Sequence, residues 1–90
     1  MMENGELFTR CLLACEAAAV EAGFAPEAGR DMYFGIIAKY SQDWSEETFG
    51  RWVGSMVERH GEKSPQGVEL PHLYYEIGQI IISYGSLYSS

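Results

Sequence analysis

Cys11, Cys15, His60 and His72 are the residues whose types could do metal chemistry. Two thiolates and two imidazoles form a donor set that tetrahedral zinc accepts. Their spacing, however, fits no standard zinc motif. Both thiols also fall on the apolar stripe of a helix, where free cysteine acts as a small hydrophobe. The expectation is reduced thiols and no metal. A Cys11–Cys15 disulfide is not expected either, because side chains one turn apart on one helix diverge.

Acid–base chemistry has even less to work with. Glu46 and Glu47 are adjacent and read as solvated acids at a helix start, where the positive end of the dipole favours them. His60 suits the C-terminal end of a helix, and His72 follows Pro71 in a first turn. Neither has a fixed relationship to a nucleophile. There is no glycine-rich phosphate loop, no GxSxG and no HExxH. The sequence therefore predicts no enzyme and no cofactor.

Aromatic side chains are the remaining chemical resource. Most of the tyrosines and tryptophans fall on core stripes. Trp44, Tyr75 and Tyr88 stand at stripe edges, where they could touch a partner; Trp and Tyr are enriched at binding hot spots.

The elements that must position these residues are helices. The first runs from about Gly5 to Ala22, with Asn4 able to cap it and Gly23 suited to the left-handed position beyond its end. Phe8, Cys11, Cys15, Ala18, Ala19 and Ala22 recur at three- and four-residue steps, the spacing of one helix face. Leu13 and Val20 lie on the outward side. The second helix starts near Pro26 and runs to about Tyr40, with Tyr33, Ile36, Ile37 and Tyr40 as its stripe. The third opens with a capping-box spacing, Asp43 then Glu46, and places Phe49, Trp52, Val53, Met56, Val57 and His60 on one face. Gly61 ends it. The loop 61–69 carries Ser64–Pro65 and Gly67 as breakers.

The fourth helix runs from about Pro71 to Tyr88. Its heptad-like seam is Leu70, Leu73, Ile77, Ile80, Tyr84 and Leu87. Ile80–Ile81–Ile82 is β-branched and strand-like, but period-two alternation fails there and the three–four pattern persists. On a helical wheel the apolar arc spans roughly 240°, far wider than an ordinary surface stripe. Tyr74, Gly78, Ile81, Gly85 and Tyr88 are expected to form a second face that meets another chain. Glycine supports this. Gly50 and Gly54 lie one turn apart, Gly78 and Gly85 two turns apart, and each pair flattens a strip that another backbone could approach. The competing reading gives those strips to packing within the chain, or makes some of the helices shorter than drawn.

Together these segments predict an all-α fold, a compact bundle of about four helices in a single domain spanning 1–90. A composition of 47% hydrophobic and 13% aromatic residues is too apolar for a disordered tail and slightly rich for a 90-residue monomer. The net charge of −7 argues against direct binding to nucleic acid and to anionic membranes. It favours a partner with a basic surface. Acids are spread too evenly to mimic DNA. No window is apolar and long enough for a transmembrane helix, and the first residues carry no secretory pattern. With two cysteines, a cytoplasmic, reducing location is expected.

The functional expectation is a small protein-binding module, a homodimer, that regulates or inhibits a partner stoichiometrically. Size, acidity and the lack of catalytic motifs suit an inhibitor of the antitoxin, immunity or phage anti-defence kind, by analogy alone. Two alternatives stand beside it. One is a structural or assembly subunit of a larger complex. The other is a helical pocket for a small apolar ligand, lined by Met32, Met56 and tyrosines.

Overall fold

Four amphipathic segments fold into four helices in the computed structural model, which describes residues 4–85: α1 (Asn4–Ala22), α2 (Pro26–Gln42), α3 (Glu46–His60) and α4 (Leu70–Ser83). The only strand-like pairing among the described residues is an isolated bridge between Lys63 and Glu69. The fold is an all-α bundle, a slab of 40 × 30 × 16 Å. None of the helices described is long and apolar enough to cross a membrane.

Small side chains let α1 and α2 come together. Cys11, Cys15 and Ala19 on α1 and Ala28 on α2 are fully buried. Gly29 lies directly on the α1 backbone, so that a Cβ there would sit 2.6 Å from the Cys15 carbonyl carbon and 2.9 Å from the Glu16 Cα. Arg30 and Glu16 close the edge of this contact at 2.8 Å. Against the pair, α4 packs Leu70, Leu73, Ile77 and Ile81.

The ends of the helices follow local chemistry. Gly23 takes φ +100°, and its N–H reaches Val20 O while the Phe24 N–H reaches Ala19 O. This is a Schellman cap, with Phe24 buried behind it. The capping role read for Asn4 depends on a side chain outside the described residues. α3 is capped by Ser45, not by Asp43: the Thr48 N–H donates to Ser45 Oγ at 3.1 Å. Asp43 instead ends α2 in the left-handed region at φ 53°, a conformation that Asp tolerates better than most. Ser64, read from sequence only as a breaker, is a buried staple. Its hydroxyl donates to Ala22 O at 2.6 Å and accepts from the Gln66 and Val68 N–H groups at 3.2 Å.

Several stripe assignments need correction. Ile81 is 0% exposed and belongs to the core, not to an outward face. Both α1 and α2 pack on α4, so its buried row runs through Leu73, Ile77 and Ile81, rotated from the expected seam; Ile80 and Tyr84 are only partly buried. Gly85 lies beyond α4, whose C-cap is Tyr84, and has φ +74°, so it is not a flat spot on a helix. Leu87 and Tyr88 fall outside the described residues. Finally, Phe8 and Tyr40, assigned to core stripes, are exposed.

Candidate docking face

Tyr74 is the hub of the site. It lies on α4 one turn before Gly78, and its ring meets Phe49 at 5.8 Å and Trp52 at 6.0 Å. Phe49 stacks on Trp52 at 5.9 Å. Trp52 sits here because Gly35 leaves room on α2: a Cβ at Gly35 would be 2.5 Å from the indole Nε1. One missing methyl thus lets a bulky ring lie flat between α2 and α3.

Two apolar hollows flank Tyr74. The larger, about 240 Å3, lies between α3 and α4 over Met32 and is lined by Phe49, Trp52, Val53, Met56, Val57, Leu70, Pro71 and Tyr74. Met32 and Met56 are the two methionines expected to line a pocket. The smaller, about 150 Å3, lies between α2 and α4 and is bordered by Ile36, Tyr40, Tyr74, Tyr75, Gly78, Gln79 and Ile82. Around it stand large apolar side chains left in solvent: Tyr40 at 59% exposure, Tyr75 at 64% and Ile82 at 38%. The Lys39 ammonium lies 4.5 Å from the Tyr40 ring centroid and 4.9 Å from that of Phe49, a cation–π arrangement that orders the strip between α2 and α3.

Tyr74, Tyr75 and Gly78 are therefore brought together as expected. Trp44 is not with them. It lies in the α2–α3 connection, its Nε1 donating to Gln42 Oε1 at 3.2 Å and its ring 6.0 Å from Trp52. Sequence reasoning missed Tyr40, Phe49 and Ile82 as members of the face. Ile82 carried a legible signal, since it lies between Tyr75 and Gly78 on the helical wheel.

The glycines divide into two kinds. Gly29 and Gly35 serve internal packing. A Cβ on Gly50, Gly54 or Gly78 would meet nothing within 4 Å. Each of these costs about 1 kcal/mol relative to alanine in a helix interior, with no internal packing to offset it.

One polar cluster holds α3 in place. Asp31 Oδ2 accepts from Arg59 Nη1 at 3.0 Å and lies 2.8 Å from His60 Nε2. Burial pushes the Asp31 carboxyl up, but the hydrogen bonds and charges of His60 and Arg59 outweigh it and hold the carboxyl below its ordinary value. A depressed folded-state value stabilises above the ordinary 3.8, and this contribution is lost as pH falls through the lowered one. Asp31→Asn is expected to destabilise by about 1 kcal/mol at pH 6, discounted for partial exposure. The gap from wild type in urea melts should close below pH 3.8. A gap unchanged at low pH would show that the carboxylate charge is not what holds α3.

The remaining chemical groups are dispersed. Cys11 and Cys15 are buried and not joined in a disulfide. Burial, with the neighbouring Cys11 thiol, pushes Cys15 up to about 12, so it is a protonated core side chain at neutral pH. His72 pairs with Glu76 at 2.8 Å. Among the described residues no three His, Cys, Asp or Glu side chains converge to hold a metal ion. No protein-family model matches the chain, and comparison with curated proteins and with solved structures likewise gives no match.

Proposed function

We propose that this chain is a cytoplasmic protein-binding module that docks on a partner through the α2–α4 face and regulates or inhibits it stoichiometrically. The observation that carries the reading is the clustering of Tyr40, Tyr75 and Ile82, all in solvent, around one apolar hollow. Scattered exposed apolar residues are ordinary; a contiguous set with tyrosines around a hollow suits an interface. The net charge of −7 favours a basic partner surface. Two buried cysteines outside any disulfide accord with a reducing compartment. Ile81 no longer supports a dimer, since it lies in the core. A second reading, a binder of a small apolar ligand, is favoured by the 240 Å3 cleft over Met32 and Met56.

Affinity capture from source cells with wild type and Tyr75→Asp side by side tests the proposal. One protein should co-purify with wild type near equal molar ratio, and its affinity for Tyr75→Asp should fall about 30-fold or more, as for a hot-spot tyrosine. Equal capture by both, or by neither, would overturn the reading. A small molecule released on denaturation would favour the second.

A further inference from the structure

We infer that the trough between α2 and α3 is a second binding site, for a free α-amino acid with an aromatic side chain. It is separate from the α2–α4 face, so the inference goes beyond the docking function and stands without it.

The register of the two helices builds the trough. α3 runs antiparallel to α2: Asp31 meets Arg59 and His60, and one turn further along α2 the notch at Gly35 receives Trp52. Trp44, in the short α2–α3 connection, closes the far end, its ring 6.0 Å from that of Trp52. The hollow so enclosed is about 290 Å3, and Phe34 and Ser55 also line it. It reaches from Asp31 to Ala38 on α2, a helical rise of about 10 Å. A cavity of about 150 Å3 holds one benzene ring. The trough therefore has room for one ring and a small polar head.

Its two ends differ in chemistry. At the Trp44 end the walls are aromatic. Trp52 is seated in the Gly35 notch, and Trp44 is held by the bond from its Nε1 to Gln42 Oε1. Both rings are fixed before anything binds. Inclined at 57° to one another, they offer a face and an edge to a third ring. Phe34 stands beside them, 47% exposed.

At the other end stand opposite charges. Arg59 and His60 both contact Oδ2 of Asp31, which leaves Oδ1 as an acceptor. The Arg59 guanidinium gives Nη1 to Asp31 and carries further N–H donors. A head group that brings both signs satisfies this end, with an ammonium for Asp31 and a carboxylate for Arg59. A lone carboxylate would meet Asp31 and the net charge of −7, and a lone ammonium would meet Arg59. A zwitterion avoids both conflicts.

Trp44 and Trp52 are the two tryptophans of the chain, so intrinsic tryptophan fluorescence reports on the trough directly. L-Phenylalanine is the probe, because it carries the ring without an indole. Titration should give a saturable change with a Kd of about 0.1–1 mM. Phenethylamine, which lacks the carboxylate, and 3-phenylpropionate, which lacks the ammonium, should each bind about 10-fold more weakly, the worth of one hydrogen bond to a charged group. Alanine, which lacks the ring, and N-acetylphenylalaninamide, which carries it as a peptide would, should fall at least as far. Arg59→Gln should weaken phenylalanine about 10-fold and leave phenethylamine unchanged. Ser55→Tyr, which fills the trough from an exposed position, should abolish binding while circular dichroism stays that of wild type. Tyr75→Asp, on the docking face, should leave phenylalanine binding intact. No saturable binding to wild type, equal binding of phenylalanine and its charge-deleted analogues, or indifference to Ser55→Tyr would overturn the inference. Loss of phenylalanine binding with Tyr75→Asp would overturn the separation of the two sites.

Discussion

Gly29→Ala is expected to destabilise the protein by about 3 kcal/mol, although it replaces the second-worst helix former with the best. The added methyl would collide with backbone, not with a side chain that can swing away. It would lie 2.6 Å from the Cys15 carbonyl carbon and 2.9 Å from the Glu16 Cα. Relief requires α1 and α2 to separate, which loosens the small-residue contact of Cys15, Ala19 and Ala28. The same substitution at Gly50 or Gly54 should have the opposite sign. Nothing lies within 4 Å there, so each should gain up to about 1 kcal/mol from helix propensity alone. Urea melts of the three variants test the contrast. A stable Gly29→Ala would contradict backbone contact between α1 and α2.

Leu73→Ala should be comparably severe. Leu73 is 0% exposed, on the buried row of α4, and truncating such a leucine costs about 2–5 kcal/mol, depending on how far the cavity collapses. Against a total stability of about 5–15 kcal/mol, that is a large share, and in a domain of this size it lowers Tm by about 10 °C or more. Tyr75→Ala, in solvent on the same helix, should stay within about 0.5 kcal/mol of wild type. Thermal melts of the two variants separate core from docking face. A Leu73→Ala melt close to wild type would mean that α4 does not form the core described.

The helices were legible because their signals are local. Cys11, Cys15 and Ala19 mark α1 by spacing alone, and Pro26 and Gly61 mark boundaries by backbone chemistry. The cap of α3 was misread because Asp43 and Ser45 are both good caps; the choice turned on Asp43 being taken by the end of α2. What a helix face packs against is not local. Ile81 was placed outward because a wheel shows how wide an apolar arc is, not that α1 and α2 would cover it from two sides. The split among the glycines was equally hidden. Only the fold shows that Gly35 makes room for Trp52 while Gly50 faces open space. Tyr74, Tyr75 and Gly78 were legible as a group because all three lie on one helix. Tyr40 and Phe49 join them only across the α2–α4 and α3–α4 seams.

The attachment of α3 has a consequence for how the molecule breathes. Met56 is its buried residue, and it is otherwise tied at its edges, by the Trp52 ring on Gly35, the Phe49 and Trp52 rings on Tyr74 and the Asp31 cluster. α1, α2 and α4 share the rest of the core. Such an element opens as its own cooperative unit, at a free energy below that of global unfolding. Its amides should exchange with solvent before those of the other three helices. Because α3 forms one wall of the larger hollow, a guest seated there would slow that exchange, and ordering this one helix would become part of the binding free energy.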